Sequence, residues 1–465
     1  MKTILCFLAL SVAALAADKP NVLFIVGDDM GYADVGFHGC KDIPTPNLDA
    51  LAASGVRFTN GYVTGPYCSP TRAGLMTGRY QTRFGHEFNP SGDVNGLPVS
   101  ETMIARRLQD SGYQTGLVGK WHLGSQPAMQ PQQRGFGEFF GFLGGAHDYF
   151  AKNGILRGNE QVTEFDHTTD AFGREASAFI ERHQGKPWFL YLAFNAVHTP
   201  MQATPERLAK MAAITDKTRR TYAAMMLAMD DAIGVVRAKL AATGQEQNTL
   251  VTFISDNGGP TMEGVTVNGS NNTPLRGSKR TTLEGGIRVP FVMSWPAKLK
   301  PGVYEKPVIQ LDLTATALAA CSVVPPSGGS GNSEPPKGGT TVLDGVNLLP
   351  HLLGEKTDAP HDALYWRFGD QTAIRMGDFK LVRYDAAAEG GSGAVLGPKL
   401  YNLSTDIGET KDLTSEMPDK VQELQAKWDT WNQGNVAPLW GGKDKSAKGK
   451  GGKGMKKKKK SAAAQ

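Results

Sequence analysis

The chain is predicted to be an α/β protein with a large, mostly parallel sheet flanked by helices, plus a small C-terminal α+β domain with an antiparallel sheet. Three observations carry this. Short β-branched apolar runs alternate with helix-length runs. Several of the apolar runs end directly in polar, chemistry-bearing residues. Beyond residue 358 the pattern changes to short strand-like pieces followed by one amphipathic helix. With 465 residues, 40% hydrophobic and 20% charged, the chain can bury a core of that size.

Residues 1–17 read as an export signal. Lys2 supplies the positive start, residues 4–15 a short apolar run, and Ala14-Leu15-Ala16 a small-residue cleavage site. Cleavage is expected after about Ala16 or Ala17, into the periplasm or the medium. The run is too short for a stable membrane span, and no other segment approaches that length.

Residues 18–357 form the expected catalytic domain. Residues 21–26 are a buried strand that stops at Gly27-Asp28-Asp29. Residues 47–53 have helical spacing, and a second helix is expected over 100–110 with Ser100 as its N-cap. Residues 113–118 are a strand followed by Lys120 and His122. Residues 170–183 are helical. The apolar strand 188–194 leads to His198. A long helix spans 218–240, and the strand 249–254 leads to Asp256 and Asn257. Residues 273–286 are expected as loop and 287–295 as strand. A Pro/Gly/Ser run at 324–339 reads as an excursion. The small domain covers 358–440, with two strand pieces in 364–383, one at 399–403 and a helix at 417–431.

The net charge of +5 is uneven. Residues 443–460 carry ten lysines and one aspartate, a balance of +9, which leaves −4 for the rest. The basic character therefore lies in a low-complexity tail, 441–465, and no nucleic-acid partner is expected. Removal of Cys6 with the signal leaves Cys40, Cys68 and Cys321. A Cys40–Cys321 bridge and two free thiols are both open.

The chemistry centres on residues 66–80. Cys68 is followed by Pro70, which suits the first turn of a helix, and by Arg72 one turn on. A helix N-terminus gathers unpaired backbone donors and favours an anion. Four predicted strands end in Asp28/Asp29, Lys120/His122, His198 and Asp256/Asn257. Ligands bind outside the carboxyl ends of parallel strands, so these residues can converge on one rim. Asp28, Asp29, Asp256 and Asn257 offer oxygen donors, which suit a hard cation. Lys120 and His122 share a face if the chain stays extended. Together with His198, Lys279 and Arg280 they could receive sulfate or phosphate and stabilise charge on a leaving oxygen.

Cys68-Ser69-Pro70-Thr71-Arg72, followed by Leu75-Met76-Thr77-Gly78-Arg79, resembles the signature of the type I sulfatases. That family more often has Ser where this chain has Thr71, which keeps the hydroxyl. Further blocks at 21–29, 119–124, 194–200, 249–259 and 275–290 are similar to the family's and fall in its order. The resemblance implies an alkaline-phosphatase-like fold and oxidation of Cys68 to formylglycine by a maturing enzyme such as the formylglycine-generating enzyme. It implies Ca²⁺, rather than Mg²⁺, held by Asp28, Asp29, Cys68, Asp256 and Asn257. Cys68, Arg72, Lys120, His122, His198 and Lys279 would be catalytic, with Lys120, His198 and Lys279 also holding substrate. The loop at 142–150, with Gly144-Gly145-Ala146-His147-Asp148, is similar to bacterial arylsulfatases and to N-acetylgalactosamine-6-sulfatase-like carbohydrate sulfatases. It adds His147 and Asp148 as substrate-binding residues and a sulfated saccharide as substrate.

Within that resemblance, a hydroxyl of the hydrated aldehyde attacks sulfur, His198 or Lys279 protonates the leaving alcohol, and His122 is the base that restores the aldehyde. Two alternatives stand beside it. One is a phosphodiesterase or phosphonate monoester hydrolase of the same superfamily. The other is a non-catalytic binder of anionic polysaccharide through the lysine tail.

Overall fold

The computed structural model describes residues 19–92, 94–263, 266–323, 342–391 and 393–441. The export signal, the 324–339 run and the lysine tail beyond Gly441 lie outside the described residues.

Strand β1 (Asn21–Gly27) is buried along its whole length, as expected of a parallel strand covered on both faces. Alternation sends Leu23 and Ile25 into one apolar layer and Val22, Phe24 and Val26 into the other. Strands β2 (Gln114–Lys120), β3 (Trp188–Ala193) and β4 (Thr249–Ser255) have the same character. The four are parallel neighbours in the order β4-β1-β3-β2. They form the middle of a mixed sheet that is ten-stranded among the described residues. Gly27 pairs with Ser255 and Gly119 with Ala193, so the four chains leave the sheet at nearly one level.

Helices cover both faces. On one side lie α1 (Pro46–Ala53), α4 (Thr168–Arg182) and the 26-residue α5 (Lys217–Ala242). On the other lie α2 (Cys68–Thr77), α3 (Ile104–Asp110) and α6 (Leu311–Ala320). The small sheet runs β5 (Leu364–Phe368), β6 (Gln371–Met376), β7 (Phe379–Asp385), β8 (Val395–Asn402), antiparallel throughout. Helix α7 (Pro418–Asn432) packs Leu424 against Ile374, Leu381 and Leu400.

The structure departs from expectation at several places. Helix α3 starts at Ile104, not Ser100, and has no side-chain cap. The preceding residues instead turn, with the Glu101 N–H on Pro98 O, and the Glu101 carboxylate pairs with Arg79 at 2.6 Å. Of the strand expected over 287–295, only Phe291–Ser294 forms. Glu284–Ile287 makes a helical turn instead, and Pro290 has no N–H for a ladder. The 364–383 region holds three strands, because Gly369, at φ +62°, makes a turn as well as Gly377. The last strand is longer than expected, beginning at Val395. Cys40, Cys68 and Cys321 are all free thiols.

Candidate active site

Cys68 is the first residue of α2, after an extended Tyr67. All ten residues of the helix are buried, so its leading donors need partners. The Ser69 N–H finds Asn89 Oδ1 at 3.0 Å. The Ser69 hydroxyl donates to the His122 carbonyl and lies 2.6 Å from His86 Nε2. The Thr71 hydroxyl donates to Gly65 O at 2.7 Å.

Three carboxylates meet at the helix start. Asp28, Asp29 and Asp256 are all within 1% of full burial. One oxygen from each, together with Cys68 Sγ, falls in a group whose members lie within 4.8 Å of one another. The thiol is 3.9 Å from Asp29 Oδ1, which also accepts from Asn257 Nδ2 at 2.7 Å. Burying three carboxylates together is affordable only against cations. Arg72 donates through Nε and Nη2 to Asp256 Oδ2 at 3.0 and 2.8 Å. Lys120 donates to Asp28 Oδ2 at 2.5 Å and Lys279 to Asp29 Oδ2 at 2.7 Å.

These pairings set the protonation states. Burial alone would raise the Asp28 carboxyl, but Lys120, His198, Arg72 and Lys279 hold it far below the usual range. Burial also opposes the charge on Lys279, yet Asp29 keeps it strongly protonated. Burial pushes the Cys68 thiol well above its ordinary value. His122 is driven down by burial and by the adjoining Lys120 and Arg72, so its ring is neutral.

Above this layer opens a cavity of about 390 Å³ whose lining includes His122, His198 and Lys279. His198 points Nδ1 at Thr199 O, 2.6 Å away. A carbonyl only accepts, so that nitrogen carries the proton and Nε2 is left for exchange. Nε2 lies 3.5 Å from Asp29 Oδ2. A β-carbon at Gly145 would sit 2.5 Å from His122 Nε2, so only glycine lets that loop cross the imidazole.

Asp28, Asp29, Cys68, Arg72, Lys120, His122, His198, Asp256, Asn257 and Lys279 are thus gathered at one place. His147 and Asp148 are not among the residues lining the cavity. Both His147 ring nitrogens face backbone carbonyls, of Asp148 and Asn153. Asp148 accepts from the Phe150 and Ala151 N–H groups and from Gln202. The His147 ring is held within its own loop, and Asp148 also ties that loop to Gln202. Lys120 and His122 also do not share a face as an extended pair. The strand ends at Lys120, and His122 has φ +58°.

Tyr67, Asn89, Pro90 and Thr266 line the cavity too. Sequence reading passed over them because each comes from a connecting segment without periodicity. Asn268 was missed in the same way. Its Nδ2 ties Asp29 O to Val197 O, 3.0 Å from each.

The donor set fits a hard divalent cation. Asp28 Oδ1 and Asn257 Oδ1 are buried without a hydrogen-bond partner. Orphaned buried oxygens are costly unless something is bound to them. The carboxylates Asp28, Asp29 and Asp256 are balanced by Arg72, Lys120 and Lys279, so an added divalent ion would leave positive charge over for an anion.

Residues 20–323 match the protein-family model described as Sulfatase. N-acetylgalactosamine-6-sulfatase of Canis lupus familiaris is 34% identical over 407 residues, which is 80% of this chain and 74% of the relative. Arylsulfatase J of Mus musculus is 31% identical over 92% of this chain and 78% of the relative. Among solved structures, Ps i-CgsB in complex with k-i-k-neocarrahexaose superposes with a TM-score of 0.80 at 35% identity, covering 91% of this chain and 95% of that one. The fold is the alkaline-phosphatase-like one of these sulfatase structures.

Proposed function

Since the chain belongs to the sulfatase family and is a sulfuric ester hydrolase, we propose that it is an exported enzyme that removes sulfate from a sulfated carbohydrate. The observation that carries the site is the meeting of Cys68 with Asp29, Lys279, His122 and His198 beneath one cavity. The similarity to N-acetylgalactosamine-6-sulfatase and to a protein solved with neocarrahexaose supports a sugar substrate. The Lys2-led apolar run supports export. Among the described residues no helix is long and apolar enough to cross a membrane.

Cys68 is read as the precursor of formylglycine, whose hydrate supplies a nucleophilic hydroxyl without leaving a stable ester behind. Asp28, Asp29, Asp256 and Asn257, with position 68, would hold calcium, which supplies Lewis-acid stabilisation of developing oxyanions. The chain's own residues do the rest. The cavity admits the ester with its sulfate towards Lys279, Lys120 and His198. Arg72, locked on Asp256, holds the helix start and adds fixed positive charge. His198, once its Nε2 has also taken a proton, or else the Lys279 ammonium, delivers a proton to the leaving sugar oxygen. Neutral His122 is suited to accept a proton at position 68.

The test is mass analysis of the peptide containing Cys68 from the purified protein, combined with sulfate release from a panel of sulfated saccharides. Formylglycine at position 68 with multiple turnovers is expected. An unmodified thiol with full turnover would sink the aldehyde reading, and absence of release from every sulfated sugar would sink the substrate class.

A further inference from the structure

Arg280 lines the same cavity but is built differently from the cations beneath it. Lys120, Lys279 and Arg72 are buried and each is neutralised by an aspartate. Arg280 is exposed, and among the described residues no acidic group pairs with it. Its guanidinium lies 5.9 Å from the centre of the Tyr67 ring, and Lys279 Nζ lies 5.4 Å from the same centre.

The backbone there is strained and tightly held. Arg280 has φ +72°, a region that costs any residue with a β-carbon. Among the described residues five non-glycine positions have positive φ, and three are Asp29, His122 and Arg280. The first two belong to the site already described. The conformation of Arg280 is imposed from both sides. Its N–H donates to Pro66 O at 2.7 Å, and its carbonyl accepts from Gln371 Nε2, in the small sheet, at 2.9 Å. Neighbouring residues of an extended chain face opposite ways. Here Lys279 and Arg280 both reach one cavity, and the left-handed turn falls at Arg280. Strain maintained by surrounding contacts is a mark of function.

We propose that Arg280 is a specificity residue that receives a second anionic group of the substrate, a sulfate or carboxylate beside the ester being cleaved. The deep cations serve the scissile sulfate, whereas Arg280 at the exposed rim has its charge and its fork of donors free. The Tyr67 ring, its centre 5.9 Å from the guanidinium, lies close enough to attract it at the cavity wall. A cavity of about 390 Å³ is within the usual size for a small ligand, roughly 300–1,000 Å³, so a sugar carrying two anionic groups can be accommodated. The substrate class is therefore a saccharide charged at two neighbouring positions. This rests on the sulfated-carbohydrate reading above.

The test compares the full, matured protein with Arg280→Gln and Arg280→Gly. Substrates are N-acetylgalactosamine 6-sulfate, its 4,6-disulfate, and the 6-sulfate linked to a glucuronate. The wild type should favour a doubly charged substrate over the 6-sulfate by about 10- to 100-fold in kcat/KM, the range expected for one charge-assisted contact. Both variants should lose that preference, with kcat/KM falling about 10-fold or more further on the doubly charged substrates than on the 6-sulfate. The disulfate and glucuronate arms separate a sulfate from a carboxylate as the second anion. Arg280→Gly relaxes the left-handed turn, so its Tm should not fall, which excludes misfolding as the cause. Equal wild-type rates on all three, or equal losses on all three in the variants, would overturn the proposal. Calorimetric binding of the same sugars is read in parallel. Binding that depends on Arg280 without hydrolysis of these three sugars would uphold the anion contact and exclude these sugars as the substrate, and binding indifferent to Arg280 would overturn the proposal.

Discussion

The Ser69 hydroxyl donates to the backbone carbonyl of His122 at 2.6 Å, joining the start of α2 to the left-handed turn after β2. One hydroxyl has one proton, so the 2.6 Å contact with His86 must be donated by the His86 Nε2–H. His86, Ser69 and the His122 carbonyl form a chain that fixes the backbone of His122, whose side chain lines the cavity.

Ser69→Ala breaks both ends of this chain. It should destabilise the fold by about 1–3 kcal/mol, because a buried acceptor and a buried donor lose their partner. Turnover of a sulfate ester should fall more than KM changes, since His122 is displaced but the cavity's cations remain. Denaturant unfolding and steady-state kinetics on the same preparation check this.

His86 also predicts a pH effect on stability. Burial lowers its pKa to about 3 from an ordinary 6.5. Between those values the unfolded chain binds a proton that the folded chain does not. Stability therefore rises with pH across this window and is lost as pH falls, by about 1.4 kcal/mol per unit from this one group. His86→Gln keeps an N–H for Ser69 and removes the titration. Its stability, compared with wild type from pH 6.5 to 4, should fall less steeply by that slope. Parallel slopes would refute the assignment.

Calcium should stabilise the folded protein with no substrate present. At 100 times Kd the gain is about 2.7 kcal/mol, visible as a rise in Tm that a chelator reverses. Asp29→Asn should blunt the response, because that side chain sits between the thiol, Asn257 and Lys279. Magnesium, which dehydrates reluctantly and wants a stricter octahedron, should give a smaller rise. A Tm indifferent to calcium would count against the metal reading.

Lys380 joins the small sheet to the main body. Its Nζ lies 2.8 Å from Glu284 Oε1 and 2.9 Å from Glu409 Oε1, and all three side chains are buried. Lys380→Met would leave two buried carboxylates without that cation, a loss of about 3–5 kcal/mol. Chemical denaturation should show it as a lower midpoint. A change below 1 kcal/mol would mean that Arg288 and Arg375, which also face Glu284, carry the pairing alone.

Much of the site was legible because its signals are local. An apolar run ending in Asp28-Asp29 or in Asp256-Asn257 is a buried strand with carboxylates at its mouth, whatever surrounds it. Cys68 with Pro70 and Arg72 marks a helix start in the same way. The expectations that failed needed distant partners. Ser100 looks like an N-cap until Glu101 is drawn to Arg79. Residues 287–295 look like one strand until Pro290 and the Glu284 turn interrupt it. His147 and Asp148 are a different case: they follow the cavity-lining Gly145 and Ala146, with the His147 ring on backbone carbonyls of its own loop and Asp148 tied to Gln202.

What the sequence by itself determined was the four central strands, the main helices and the residue types at their ends. Periodicity, turn preference and helix capping act within a few residues. Tertiary structure alone decided that β4, β1, β3 and β2 are neighbours, that Lys279 answers Asp29 from 250 positions away, and that Asp29, His122 and Arg280 take left-handed turns. Those outcomes depend on strand pairing and on contacts between remote segments. A left-handed backbone at a non-glycine residue is unfavourable on its own and exists only where the packed surroundings hold it.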